Sequence, residues 1–122
     1  MTWQFTDDRP IYTQLMEQIK LKIICGEYKA GEKLPSVRDL ASEAAVNPNT
    51  MQKALSELER SDLVFSQRTS GRFITEDSKM IENMRKDLAK EQIEKFLYNM
   101  KKIGFSKKET INLIENIAGE MK

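Results

Sequence analysis

A mainly helical fold with one small β-hairpin is predicted for this 122-residue chain, and three observations predict it. The run Leu34-Pro35-Ser36-Val37-Arg38-Asp39-Leu40-Ala41 reads as one short capped helix, and Asn47-Pro48-Asn49-Thr50-Met51-Gln52-Lys53-Ala54-Leu55, six residues later, reads as a second. Short β-prone runs on either side of a glycine turn follow, from Leu63 to Thr75. Helix, turn, helix, hairpin is the order of a winged helix-turn-helix. Beyond Asp77 the pattern becomes helix alone, so the chain reads as a winged helix-turn-helix domain over residues 1–77 followed by a two-helix appendage over residues 78–122.

Taken in order, the first helix spans about Ile11 to Cys25, with Tyr12, Met16, Ile19 and Ile23 at core-facing spacing and Leu15 beside them. It is scaffold. Ahead of it, Trp3 and Phe5 stand on one side of an extended arm, placed to pack either on the domain itself or on a partner subunit. Ser36 with Asp39 three residues on is a short-armed capping box, and Asn47 before Pro48 supplies an N-cap and a pre-organised first helical residue.

Each helical residue advances about 100° around the axis. Met51, Ala54, Leu55 and Leu58 therefore cluster on one side, while Asn49, Gln52, Lys53 and Ser56 fall on the other with Thr50 at its margin. That outer face is polar and free of acidic groups. It suits a DNA major groove, where Asn and Gln bond adenine bidentately and Lys, Ser or Thr reach guanine or phosphate. Arg38 lies in the first turn of its helix, where a cation opposes the helix dipole at a cost of roughly 0.3–1 kcal/mol. A phosphate or guanine edge beside that helix start would offset the cost; a surface pair with Asp39 or Glu43 is the plainer reading. In the hairpin, Gly71 permits a positive φ at the tip, and Arg68 and Arg72 bracket that tip where phosphates would pass.

At this point the residues resemble a known family. Pro10-Ile11-Tyr12 opening a helix, the element Gly31-Glu32-Lys33-Leu34-Pro35-Ser36-Val37-Arg38-Asp39-Leu40-Ala41, then Val46-Asn47-Pro48-Asn49-Thr50, Ala54-Leu55 and the Gly71 wing are similar to those of GntR-type bacterial transcriptional regulators, and the short tail resembles the YtrA subfamily. The resemblance implies DNA contacts from Arg38, from Asn47, Asn49, Thr50 and Gln52, and from Ser70 and Gly71. With Ser36 of the same element and the cations Lys53, Arg68 and Arg72, these make up the candidate DNA-binding set. Many members carry arginine where Pro48 and Gln52 stand, so this chain leans toward adenine contacts. The subfamily resemblance also implies repression, of a transporter operon.

In the tail, Ile81, Met84, Leu88, Ala89, Ile93, Phe96, Met100 and Ile103 follow three-four spacing to Gly104; Ser106 with Glu109 is a full capping box for a last helix carrying Ile111, Leu113, Ile114, Ile117 and Met121. The apolar stripe slips by one residue at Leu88 and Ala89, which disfavours a straight two-stranded coiled coil. Two such helices need a partner surface for their apolar faces, and a symmetric homodimer supplies it. A cleft lined by Phe96, Tyr98, Met100 and Phe105 has the character for a small-molecule effector, although dimer core is the simpler use.

Composition bounds the rest. Net charge is +1, and residues 1–77 carry ten Lys and Arg against twelve Asp and Glu, so DNA binding must rest on where charges sit. The expected arrangement puts Arg38, Lys53, Arg68 and Arg72 on one side and Glu17, Glu27, Glu57 and Glu59 elsewhere. The slightly acidic balance keeps open a second class of function, a winged-helix module for protein contacts or RNA. With no histidine, no cysteine–histidine pair, no phosphate-cradling glycine motif and no carboxylate metal cluster, the chain is expected to be no enzyme and to hold no cofactor. The single cysteine, Cys25, is expected to be a small buried hydrophobe near a helix end. No apolar run is long enough to span a membrane and Met1 to Asp8 is no signal peptide, so a soluble cytoplasmic DNA-binding regulator is the expectation.

Overall fold

The computed structural model describes residues 3–121 and orders them as α1 (Ile11–Ile24), α2 (Val37–Ala44), α3 (Pro48–Arg60), β1 (Val64–Gln67), β2 (Gly71–Ile74), α4 (Ser78–Lys102) and α5 (Lys107–Glu120). They form two compact units that divide within α4, between Asn83 and Met84.

In the first unit α3 packs against both α1 and α2. Its stripe Met51, Ala54, Leu55 and Leu58 is buried, and it meets Leu15 and Ile19 of α1, Leu40 and Ala41 of α2, and Leu63 and Ile74 at the base of the hairpin in one core. Each large side chain taken fully out of water contributes about 1.5–3 kcal/mol, so this stripe is what orients α3. The expected stripe of α1 is turned slightly: Leu15, Ile19 and Ile23 are buried, whereas Tyr12 and Met16 are half-buried.

Polar side chains hold the arm ahead of α1. Buried Gln14 accepts from the backbone N–H of Thr6 (2.8 Å) and donates to the carbonyls of Thr6 (2.9 Å) and Arg9 (2.8 Å). Trp3 packs on its own domain. Its indole N–H donates to Glu43 at 3.2 Å, and the Lys22 ammonium lies 4.5 Å from its ring centroid. Lys22 is only 3 % exposed and is neutralised by Glu27 at 2.7 Å and Glu43 at 4.0 Å. Burial, together with the charges of Glu43, Glu27 and Glu32, pushes the neighbouring Tyr28 hydroxyl up to about 12. Cys25 is exposed, contrary to expectation: as the residue closing α1 its side chain points along the helix end, with Sγ 3.6 Å from the Lys22 carbonyl.

The hairpin pairs Val64 with Ile74, Phe65 with Phe73, Ser66 with Arg72 and Gln67 with Gly71. Val64 and Ile74 point into the core; on the other face Phe65 and Phe73 stack at 5.7 Å. A short third strand stub is an addition to the expected fold. Lys33 bridges to Phe73, with Leu34 N–H donating to the Arg72 carbonyl (2.9 Å) and Ile74 N–H to the Glu32 carbonyl (2.8 Å). This stub fastens the entry of α2 to the wing.

In the second unit, α4 stops at Gly104 (φ +98°), where the Gly104 N–H donates to the Lys101 carbonyl (3.0 Å) and the Phe105 N–H to Met100 (3.0 Å). The capping box expected for α5 is complete: Glu109 N–H donates to Ser106 Oγ at 3.1 Å, and Ser106 N–H to the Glu109 carboxylate at 3.0 Å. Thr110 is buried, yet Ile93, Phe96, Ile103, Ile111, Ile114, Ile117 and Met121 are 43–72 % exposed, so these helices do not cover their apolar faces by themselves.

The turn between α2 and α3 is closed by the Ala45 N–H on the Ser42 carbonyl (3.2 Å) and the Val46 N–H on Ala41 (3.0 Å), a Schellman arrangement with alanine in the left-handed position (φ 57°). Relief of the Cβ strain, roughly 1–2 kcal/mol, exceeds the added freedom of glycine in the unfolded chain, about 0.4–1 kcal/mol. Ala45→Gly is therefore expected to stabilise the domain by roughly 1 kcal/mol, read as a higher urea midpoint at unchanged slope. A lowered midpoint would contradict this account of the turn.

Candidate nucleic-acid interface

The core stripe of α3 leaves its opposite side in solvent. Asn49, Gln52 and Lys53 are exposed there and Thr50 is half-buried. Asn47 caps the helix, its side-chain oxygen accepting the Asn49 N–H at 2.7 Å, which leaves its amide NH2 to donate outward. The amide of Gln52 makes only a long contact, 3.4 Å, to Ser56 Oγ. Lys53 is held from α1: its ammonium lies 3.9 Å from the Tyr12 ring centroid, a cation–π contact that restrains a flexible side chain.

Ser36 caps α2 by accepting the Asp39 N–H at 3.1 Å. Arg38, at the second position of α2, is exposed and makes no ion pair among the described residues. The plain pairing with Asp39 or Glu43 is thus not formed, and Glu43 serves Trp3 and Lys22 instead. At the wing tip Arg68 and Ser70 are exposed, and Gly71 has φ +102°, a conformation that excludes most side chains. A Cβ at Gly71 would lie 3.3 Å from Lys33 Cε, a contact that the flexible lysine can relieve, so the positive φ is what calls for glycine here.

A groove of about 660 Å³ runs between the start of α2 and the wing, lined by Lys33, Leu34, Pro35, Ser36, Val37, Asp39, Ser70, Gly71 and Arg72. It gathers four of the sequence-derived residues: Ser36, Ser70, Gly71 and Arg72. Asn47, Asn49, Thr50, Gln52 and Lys53 lie outside it on α3, and Arg38 and Arg68 are not in its lining. Lys33 lines the groove without having been singled out from the sequence, because a single bridged residue pair has no periodicity to betray it. Tyr12, read as core, also restrains Lys53.

The expected separation of charges fails at one position. Glu59, placed away from the basic side, ion-pairs Arg72 at 2.5 Å and also accepts from Ser66 Oγ at 2.5 Å. Helical spacing puts Glu59 next to the buried stripe, where the hairpin folds back onto α3 and brings its two polar side chains to the carboxylate. Partial burial works to raise the Glu59 carboxyl, but the Ser66 hydroxyl and the Arg72 guanidinium outweigh it and hold the group below the ordinary glutamate value.

The geometry sets an exposed polar helix face beside a basic-edged wing, and known proteins share the fold. A sequence profile of the bacterial regulatory proteins of the gntR family matches residues 11–74, from α1 through β2. The chain belongs to that family. It is 38 % identical over 112 residues to YhcF of Bacillus subtilis strain 168, described as an uncharacterized HTH-type transcriptional regulator, covering 92 % of this chain and 93 % of that one. It is 35 % identical over 115 residues to the HTH-type transcriptional repressor YtrA of the same organism, covering 93 % and 88 %. Among solved structures, a GntR family transcriptional regulator from Listeria monocytogenes superposes with a TM-score of 0.85 at 40 % identity, covering 92 % of this chain and 98 % of that one. This gntR-family protein is a DNA-binding transcriptional regulator, and no helix among its described residues is long and apolar enough to cross a membrane.

A carboxyl held below its ordinary value contributes stability that is present above that value and lost as pH falls through the folded one. Urea midpoints are therefore expected to fall from about pH 5 downward, and Glu59→Gln should flatten part of that fall. Parallel curves for the two proteins would show that the Glu59 pair adds nothing to the native state.

Proposed function

We propose that the protein is a repressor that binds an inverted-repeat operator as a homodimer, reading DNA with residues 1–77 and pairing through residues 78–122 in the cytoplasm. The observation that carries the reading is the outer face of α3. Asn49, Gln52 and Lys53 stand exposed on a helix whose other side is locked in the core, and Glu57, one turn on from Lys53, is paired with Arg60 at 3.4 Å. Placed in a major groove, Asn49 and Gln52 have the donor and acceptor pairs that adenine requires. The wing groove, with Lys33, Ser70 and Gly71, then follows the phosphate backbone.

The exposed apolar residues of α4 and α5 support pairing, because a two-fold dimer buries the same face on both copies. Two-fold symmetry requires two inverted half-sites about 34–36 Å apart, one turn of DNA, or a multiple of that spacing. Repression follows the similarity to YtrA, and occupation of promoter DNA is sufficient for it.

A duplex selected in vitro from a random library by the full-length chain supplies the test. On it Asn49→Ala and Gln52→Ala are each expected to lose about 1–3 kcal/mol, with little loss on random DNA, since a base contact counts only where the base is right. Uniform losses on both DNAs would mean that α3 is not reading bases; failure to select any consensus would favour the protein-contact or RNA alternative.

Dimerisation is tested separately by light scattering. Ile114→Glu with Ile117→Glu alters two exposed side chains and is expected to give a folded monomer with much weaker affinity for the selected duplex. A persistent dimer would place the pairing surface outside α5.

A further inference from the structure

Ser66 and Arg72 face each other across the two strands of the wing, and a single carboxylate from another element holds both. Glu59 Oε1, near the end of α3, accepts from Ser66 Oγ and from Arg72 Nε, each at 2.5 Å. The grip is on Nε alone. The two terminal amino groups of Arg72 make no hydrogen bond with protein among the described residues, although the side chain is only 18 % exposed and lines the groove beside Lys33, Ser36 and Gly71. A guanidinium is planar, so fixing Nε fixes the direction of every remaining donor.

We infer that Glu59 is a positioning residue for DNA binding: it locks the wing onto the reading helix and sets Arg72 so that its free amino groups meet a backbone phosphate. The inference rests on the reading above that the wing groove faces DNA. It assigns an acidic residue a favourable role at an anionic ligand, which is the opposite of what charge alone dictates. Removing a carboxylate beside DNA adds one positive charge to the protein and, by field effects, tightens binding. Losing the lock has the reverse effect, because an unrestrained arginine must be ordered at the moment of binding.

The sign of the effect is the test, measured with the full-length chain on the selected duplex across a salt series, with circular dichroism and thermal melting to confirm folding. Arg72→Ala is expected to reduce the salt slope by about one as well as the affinity, since one phosphate contact is gone. Glu59→Ala should weaken binding about 2- to 10-fold despite its extra positive charge, the range for one long side chain that loses its pre-orientation. In an Arg72→Ala background the same change should cost nothing further. Glu59→Gln keeps an acceptor for Ser66 Oγ and Arg72 Nε, so it should retain most of the affinity and serves as the working variant if Glu59→Ala folds poorly.

Tighter or unchanged binding by Glu59→Ala would overturn the inference, and so would an equal loss with and without Arg72. Unchanged affinity and slope for Arg72→Ala would also overturn it, since no contact would remain to be positioned. That result leaves the reading of bases by α3 standing wherever Asn49→Ala still loses specificity, so the two failures are distinct.

Discussion

Burial of Met51, Ala54, Leu55 and Leu58 is the interaction on which the rest of the structure depends. A helix that puts these four side chains between α1 and α2 has no rotational freedom left, so its outer face is chosen by its inner one. The stripe thereby decides that Asn49, Gln52 and Lys53 meet solvent. It also brings the end of α3 to the hairpin, so the wing and α3 share one core through Leu63, Val64 and Ile74. A core substitution that let α3 roll by even a fraction of a turn would displace its polar outer face as well as destabilise the fold.

The electrostatic difficulty of this protein is resolved by placement. A domain with more acidic than basic residues approaches a polyanion, and much of the acid is neutralised locally. Glu17 pairs with Arg9 at 2.5 Å, Glu27 and Glu43 enclose Lys22, Glu57 reaches Arg60 at 3.4 Å, and Glu59 takes Arg72. The exposed pairs, Glu17 with Arg9 and Glu57 with Arg60, contribute little stability, typically about 0–1 kcal/mol, so their effect lies in the field they cancel. Lys33, Arg38 and Arg68 make no ion pair among the described residues and stand at the start of α2 and on the wing. Net charge therefore says little here about the potential that DNA meets.

The second unit poses a different physical problem. Its helix ends are well specified, by Gly104 and by the reciprocal Ser106 and Glu109 bonds, yet its apolar residues remain in water. Local hydrogen bonding fixes where such helices begin and stop. It does not supply a core. The isoleucines and phenylalanine exposed on these capped, regular helices form the apolar surface that the proposed dimer would cover.

Much of this was legible in the residues themselves. The caps Ser36, Asn47 and Ser106, the glycine stops at Gly71 and Gly104, and the three-four stripe of α3 act over one or two turns, and such short-range rules can be read from spacing alone. They determined the element order and the inward and outward faces of α3, and the resemblance to GntR-type regulators added Asn47, Ser70 and Gly71 to the candidate DNA-binding set. The tertiary structure decided what lies between residues far apart in the chain. It joined Glu59 to Arg72 and Ser66, set Lys53 on Tyr12, enclosed Lys22 with Trp3, Glu27 and Glu43, and laid the Lys33 stub along β2. These contacts depend on how α1, α3 and the hairpin come together, and a spacing rule confined to one element carries no information about the distance between two. Cys25 and Glu59 were misjudged for that reason: each was assigned by its own local pattern, and its surroundings were set by the packing of others.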